Sequence, residues 1–585
     1  MRLPKIPLAQ TVIQLCKAKN VRHIIISPGS RNAPLTIGFS NDDFFTSYSI
    51  VDERCASFFA LGIAQQLQEP VAIICTSGSA LLNYYPGVAE AFYSDIPLVV
   101  LSADRPKYLI GIGDGQTINQ PNVFCNHILY SVNLKQDIKE EKLDNNALPI
   151  FKNIENKLEK FLGLQQTIQE ENEAEINKAI NKAIIDKGPV HINIPFDEPL
   201  YDLVENYSVI PKVIEPEFPT DKTNPEVLES LVNIWNTASK KMVLVGVNTP
   251  NAIEQKWLDV LAEDDSVIVF TETTSNIHHP DFFNSIDTII APIEKDESII
   301  KALQPDLLLT FGGMVVSKKM KAFLRHYKPK AHWHVDTKKA NDTFFCLSNH
   351  LKGKPNTFLS QLLPNIAKPK SNYQSYWNTV KQNRLQKHKT YIDTIAFSDF
   401  KVFDLLLSSL PDDSILQLGN SSTIRYTQLF DLNKTLKVYC NRGTSGIEGS
   451  TSTAVGCSAI QKEQTIFITG DLSFFYDSNA LWNNYIPNNF RIIIVNNGGG
   501  GIFRILPGHK NTHNFDTYFE TKHQLNASQL CDMYHFDYTI ASNETELQYA
   551  LKDFYRQSNQ PKLLEIFTPS RINDEILLNY FKFLK

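Results

Sequence analysis

Two short segments carry the strongest chemical signal in the chain. ITGDLSFFYDSNALWNN (Ile468–Asn484) places Gly470-Asp471 at the end of a β-branched run, and FRIIIVNNGGGGIF (Phe490–Phe503) ends a second run in Asn496-Asn497 and four glycines, Gly498–Gly501. An aspartate and an asparagine at the C-terminal ends of two parallel strands put hard oxygen ligands at one sheet edge, where open α/β sheets bind ligands. A carboxylate, an amide oxygen and a backbone carbonyl leave octahedral positions for water and phosphate oxygens, the usual way of holding magnesium. Glycines let the backbone approach a diphosphate, and helix-opening amides favour its charge. Taken singly, Gly470-Asp471 reads as a helix cap and Asn497–Gly501 as a flexible turn; on successive strands they read as a metal–diphosphate site. His332 and His334 in HWH share one strand face, but no third ligand accompanies them, so packing is their reading.

Such residues need strands to carry them, and the chain supplies three groups. His23–Ile26, Val71–Cys75, Leu98–Leu101 and Val190–Ile194 form the first, and Met242–Val247, Val267–Phe270, Leu307–Phe311 and His332–Val335 the second. Ile415–Leu418, Thr465–Ile468, Arg491–Val495 and Leu563–Phe567 form the third. Short β-branched runs alternating with helical patterns predict an α/β fold of three doubly wound parallel-sheet domains, over residues 1–200, 210–366 and 380–585. A length of 585 residues agrees, at roughly 100–200 residues per domain. Pro195–Pro219 reads as the first linker and Lys368–Ser371 opens the second. The charged stretch Lys135–Lys187, with Ile, Leu and Phe at helical spacing, predicts solvated surface helices. No repeat at solenoid periods is visible. A net charge of −6 gives no global pull toward nucleic acid or anionic membrane. Eight scattered cysteines without a CxxC pair argue against a disulfide framework, and no signal peptide or membrane-length apolar run is present, so a cytoplasmic location is expected.

The Gly-Asp and Asn-Asn pair resembles the thiamin diphosphate motif, which opens Gly-Asp-Gly; here Leu472 replaces the second glycine. That resemblance implies thiamin diphosphate with Mg²⁺ (or Mn²⁺) held by Asp471, Asn497 and the main-chain carbonyl of Gly499. It also implies a buried glutamate in a pyrimidine-binding domain. Glu53 in SYSIVDERCASFFALGIAQ, with TSGSALLN (Thr76–Asn83) one strand later, matches, although alone it would read as a dipole-compatible residue of a helix's first turn. By resemblance Glu53 hydrogen-bonds the pyrimidine nitrogen N1′ and promotes formation of the nucleophilic ylide, and burial would raise its pKa.

Further motifs occur in order: SPGSRNAPL (Ser27–Leu35), LSADRP (Leu101–Pro106), GDGQTINQ (Gly113–Gln120), HINIPFDEPLY (His191–Tyr201), GNSSTIR (Gly419–Arg425) and NRGTSGIEGSTSTAVG (Asn441–Gly456). Together they resemble the 2-succinyl-5-enolpyruvyl-6-hydroxy-3-cyclohexene-1-carboxylate synthase family (MenD) of menaquinone biosynthesis, and they span all three expected domains. The resemblance implies a transferase that decarboxylates 2-oxoglutarate on the cofactor and adds the succinyl-semialdehyde carbanion to isochorismate in a 1,4-addition, releasing CO₂. Those substrates bring four carboxylates, which suits Arg31, Arg105, Arg425 and Arg442, since arginine binds carboxylates bidentately and stays charged. Gln116 and Ser421 add neutral hydrogen bonds, Lys318 and Lys319 are weaker candidates from FGGMVVSKKMK, and Ile502 and Phe503 suggest an apolar wall. Gly111–Gly115 lacks the GxGxxG spacing and reads as the loop preceding Gln116. Cofactor contacts are expected from Asn83, Gly419, Asn420, Ser421, Gly446, Ile447, Gly470, Leu472 and Ser473, with Ile447 the apolar wedge and Gly446 a carbonyl acceptor. The family implies a homodimer at least, or a homotetramer, with Glu53 and Asp471 of one site on different subunits. Another thiamin diphosphate enzyme, a nicotinamide oxidoreductase and a non-catalytic binding protein remain as rival readings.

Overall fold

The computed structural model describes residues 2–138, 151–218, 224–505, 508, 510 and 512–585, with side chains described from residue 163 onward in the helix that begins at Phe151. These residues divide into two compact units. The first comprises Met1–Phe218, Thr451–Ile460 and Asp477–Ile486; the second comprises Pro219–Ser450, Gln461–Tyr476 and Pro487–Lys585.

In the first unit, six parallel strands form one sheet: β1 (His23–Ile26), β2 (Thr46–Ser49), β3 (Val71–Cys75), β4 (Leu98–Asp104), β5 (Tyr130–Asn133) and β6 (Val190–Pro195), in the order β2-β1-β3-β4-β6-β5. β3 and β4 are buried at every position, as strands covered on both faces must be. Helix α1 (Glu53–Leu67) starts at Asp52, whose side chain accepts the Cys55 amide, and ends at left-handed Gln68. Helix α2 (Phe151–Asp186) corrects the expectation for the charged segment. It is one 36-residue helix, and Ile176, Ala179, Ile180 and Ala183 are fully buried in the sheet's core. Their i, i+3, i+4, i+7 spacing makes one stripe apolar while the rest stays charged. Residues 139–150 of that segment lie outside the described residues.

The second unit holds two parallel sheets. One contains β7 (Lys241–Val245), β8 (Val267–Phe270), β9 (Leu307–Phe311), β10 (Ala331–Val335) and β11 (Asn349–Leu351), in the order β8-β7-β9-β10-β11. The other contains β12 (Ile415–Leu418), β13 (Lys437–Cys440), β14 (Thr465–Gly470), β15 (Arg491–Asn496), β16 (Asp537–Ala541) and β17 (Lys562–Phe567), in the order β13-β12-β14-β15-β17-β16. That order is the same as in the first unit's sheet, although the two stretches share no visible sequence repeat. The α/β fold class is therefore as the sequence implies. Helices needed below are α3 (Lys318–His326), α4 (Tyr373–Thr394), α5 (Asp399–Ser409), α6 (Ser450–Ser458) and α7 (Asp471–Tyr476). The two sheets of this unit are joined through Asn276, whose side chain donates to Val438 O (2.9 Å) and accepts from Val438 N (2.8 Å). An amide side chain thus pairs with edge strand β13 as another strand would. His332 and His334 both lie within hydrogen-bonding distance of Thr310 Oγ1, at 2.9 and 2.8 Å, in agreement with the packing reading. Among the described residues no helix is long and apolar enough to cross a membrane.

Candidate active site

In both six-stranded sheets the strand order reverses beside the first strand, and the loops leaving the strands at that point are those of the matched motifs. In the second unit these loops follow β12 and β14. Gly419 ends β12 so close to Thr469 that an added Cβ would lie 2.7 Å from its Oγ1. Ser421 follows with a left-handed φ of 68°. Asn420 then organises the neighbouring loop: its Nδ2 donates to Asn441 O and Gly446 O, both at 2.7 Å, and its Oδ1 accepts Arg442 Nη1 at 2.6 Å. Gly446's carbonyl, expected as a free acceptor, therefore has one lone pair already engaged. Ser473 donates to Ile447 O at 2.6 Å, tying Ile447 to the start of α7.

Asp471 opens α7 with only 3% of its surface exposed. Its Oδ1 accepts Leu472 N (2.7 Å), its Oδ2 accepts Gly499 N (2.9 Å), and His523 Nε2 lies 3.2 Å from Oδ2. Asp471 raises the His523 pKa through that contact. Gly499 has φ 151°, and its carbonyl accepts Gly501 N at 3.0 Å. Asn497 donates Nδ2 to Asp399 Oδ2 at 2.9 Å, and among the described residues its Oδ1 accepts no hydrogen bond. Asp399, the first residue of α5, also accepts Thr568 Oγ1 at 2.5 Å, and burial pushes its pKa up to about 6. The donor set fits a hard cation: one carboxylate with lone pairs to spare, an amide oxygen kept free by orientation, and glycine carbonyls. Among the described residues no group of three or more His, Cys, Asp or Glu side chains could hold a metal. An ion here must therefore take amide, carbonyl, water and ligand oxygens.

Arg425 and Arg442 lie near one another at this edge. Burial first, then Arg442, lowers the Arg425 pKa, and among the described residues neither guanidinium forms an ion pair. Arg425 Nη1 donates to Ser421 O at 2.6 Å. Lys319 is paired with Glu294 at 2.7 Å, and Lys318 is exposed at the start of α3. The loop before α3 is held by buried Glu272, which accepts Val316 N and Ser317 N at 2.7 Å each. Ile502 is half-buried and Phe503 exposed, the latter edge-on to Phe519.

In the first unit, the loops leave β1, β3 and β4. Arg31 is buried, donates to Phe196 O (3.1 Å) and lies 3.4 Å from Glu198; burial and then Arg105 lower its pKa. Arg105 Nε donates to Gly115 O at 2.9 Å, and Asp114 lies 3.5 Å away. Gln116 is exposed and left-handed (φ 56°), its backbone against Gly78, where φ is +94°. Glu53 Oε2 accepts Asn83 Nδ2 at 3.2 Å. Contrary to the expected burial, Glu53 is only half-buried in the single chain, because the first turn of α1 presents it at the end of the sheet rather than beneath it.

Four residues not singled out from sequence support these loops: Asp399, Glu272, His523 and Asp477. Asp477 accepts Ser452 N (2.7 Å) and Cys55 Sγ (3.7 Å), so it joins α6 to the start of α1. Ser398-Asp399 before a helical run signals an N-cap, but its partner Asn497 lies 98 residues away and no local pattern reveals it.

Residues 6–123 match the family described as thiamine pyrophosphate enzyme, N-terminal TPP binding domain, and residues 419–566 the corresponding C-terminal TPP binding domain. The chain is 58% identical to a 2-succinyl-5-enolpyruvyl-6-hydroxy-3-cyclohexene-1-carboxylate synthase of Christiangramia forsetii, with both chains covered completely. Proteins of the same name from Flavobacterium psychrophilum and Porphyromonas gingivalis are 54% and 35% identical. The first match covers both chains completely; the second covers 98% of this chain and 96% of the relative.

Proposed function

The chain belongs to the 2-succinyl-5-enolpyruvyl-6-hydroxy-3-cyclohexene-1-carboxylate synthase family of thiamin diphosphate enzymes, and from that premise we propose which of its residues carry the reaction. The enzyme is a thiamin diphosphate-dependent transferase of menaquinone biosynthesis. It decarboxylates 2-oxoglutarate and adds the succinyl-semialdehyde unit to isochorismate by 1,4-addition, with loss of CO₂. When bound, thiamin diphosphate supplies the electron sink that both decarboxylation and carbon–carbon bond formation need.

Asp471, Asn497 Oδ1 and the Gly499 carbonyl would hold Mg²⁺ or Mn²⁺, whose charge would offset that of the diphosphate. Gly470, Leu472 and Ser473 border that group, as do Gly419, Asn420 and Ser421. Ile447 packs against the cofactor, Gly446 offers its remaining carbonyl lone pair, and Glu53, steadied by Asn83, holds a proton against pyrimidine N1′. Arg31, Arg105, Arg425 and Arg442 bind the substrates' carboxylates, with Gln116, Ser421 and Lys318 adding hydrogen bonds and Ile502 and Phe503 keeping water away. Lys319, paired with Glu294, is a further candidate for those carboxylates. The observation that carries this reading is the meeting of Asp471 and Gly499 at 2.9 Å, at the ends of adjacent strands β14 and β15.

The working assembly is a homodimer or homotetramer in the cytoplasm. Each chain divides into a pyrimidine-binding domain (1–200), a central domain (210–366) and a diphosphate-binding domain (380–585), and Glu53 of one copy serves the cofactor held by Asp471 of another. A coupled assay with thiamin diphosphate, Mg²⁺ and 2-oxoglutarate, with and without isochorismate, tests the residue assignments. CO₂ release and isochorismate loss should proceed together and collapse in Glu53→Gln and Asp471→Ala. Undiminished turnover in either variant would refute its assigned role.

A further inference from the structure

Helix α4, which follows the second predicted linker, carries Lys381, Arg384, Leu385 and His388 along one face at i, i+3, i+4 and i+7. With Phe283–Ser285, Thr288, Leu429 and Asp431 these residues line a small cavity of about 20 Å³ in the second unit. Arg384 is 91% buried, since only 9% of its surface is exposed. Among the described residues no acceptor hydrogen-bonds any of its guanidinium nitrogens, no carboxylate lies within ion-pairing distance, and Nε is wholly enclosed. Ser285 Oγ, also in the lining, is likewise enclosed without a partner.

Its surroundings do not neutralise this charge. Lys381 adds a second cation, directed at Pro280 O (2.5 Å) and Phe282 O (2.7 Å). His388 is uncharged at neutral pH, because burial lowers its pKa to about 4; its Nδ1 lies 2.6 Å from the Tyr580 hydroxyl. Asp431 is the acidic residue of the lining, and Asn284 Nδ2 already occupies its Oδ1. A buried guanidinium retains its charge and cannot relieve itself by losing a proton, so an uncompensated one is costly. Burial of donors without acceptors at a cavity wall is what a built anion site looks like before its ligand is counted.

We propose that this cavity binds a single small inorganic anion of chloride size, held by Arg384 with Lys381 and Ser285, which fastens α4 to the segments on either side of it. The volume admits about one water-sized sphere, which excludes a phosphate ester or a carboxylic metabolite. An ordered water would satisfy the hydrogen bonds but leave the charge uncompensated.

Crystals of the complete enzyme grown in bromide test the assignment directly, since bromide replaces chloride and scatters anomalously. An anomalous peak within hydrogen-bonding reach of Arg384 is expected; a plain water at that position, or Asp431 turned onto Arg384 in its place, overturns the proposal. In solution, thermal unfolding in sodium chloride should lie ~2–4 °C above that in sodium gluconate of equal ionic strength. That difference should vanish in Arg384→Met. Should Arg384→Met fail to fold, Ser285→Ala, which removes one donor from a half-buried position, should shift the chloride dependence to higher concentration. A chloride response equal to wild type in either folded variant overturns the site.

Discussion

Glu53 gains its position from its neighbours more than from burial. Arg54 lies 3.7 Å from Asp477, Cys55 donates to the same carboxylate, and Asn83 reaches Glu53 itself. Loss of its proton-holding group should therefore impair the chemistry without disturbing the fold. Glu53→Gln is expected to slow CO₂ release by roughly 10²–10⁴-fold, with thiamin diphosphate affinity, followed by tryptophan fluorescence, unchanged. Weakened cofactor binding of the same size would instead make Glu53 a binding residue. Asp399 acts at one remove. It takes the Asn497 amide nitrogen, so the oxygen is the atom left for a cation. Asp399→Ala should weaken the apparent Mg²⁺ affinity, read from cofactor binding in a Mg²⁺ titration, by about 10–100-fold, with Asp399→Glu recovering part of it. An unchanged titration would mean that Asn497 orients itself.

Helices α1 and α6 meet backbone to backbone. A Cβ on Gly62 would lie 2.1 Å from Thr453 O, and one on Gly456 2.0 Å from Phe59 O, so neither helix tolerates a side chain at the crossing. Gly456→Ala is expected to cost ~1–3 kcal/mol in chemical denaturation, by pushing apart the helix that presents Glu53 and the one that follows the NRGTSG loop. A denaturation midpoint equal to wild type would show that the crossing can relax. The loop before α3 offers a pH signature. Burial raises the Glu272 pKa to about 7 from an ordinary 4.5. Between those values the folded protein keeps a proton that the unfolded chain has released. Stability contributed by this residue therefore falls as pH rises through that window, by up to ~3 kcal/mol, and is level above it. In Glu272→Gln that downward slope should be missing; a slope identical to wild type would assign the titration elsewhere. At this scale the largely buried strands were legible as continuous β-branched runs, whereas β2, β5, β11, β13 and β16, at sheet edges and only partly buried, were not. Helix α2 was legible as helical, but its single 36-residue length and its buried stripe were not, since that stripe is diluted by charges that remain in water.

Two sheets with the same strand order, one in each compact unit, set the loops that bear Glu53 and Asp471 on separate bodies of one chain. If one cofactor needs both, copies of the chain should complement each other. Equal mixing of Glu53→Gln and Asp471→Ala, each inactive alone, with subunit exchange should recover about a quarter of wild-type turnover, as expected when half the dimers are mixed and each carries one intact site. Absence of recovery despite verified exchange would place both residues of a site on the same chain. The sequence by itself determined the class of fold and the loops at the strand ends, because these follow from local periodicity and motif spacing, while the residues expected for a metal, a diphosphate and several carboxylates came from the family resemblance those motifs carry. Tertiary structure alone decided which side chains are free to act. Asn497 is oriented by an aspartate 98 residues away, Lys319 is paired with Glu294, Glu53 is left half-exposed, and Arg384 is enclosed without an acceptor. Each of these is a pairing between distant stretches of chain, and no local pattern records which partner the fold will bring within 3 Å of a given side chain.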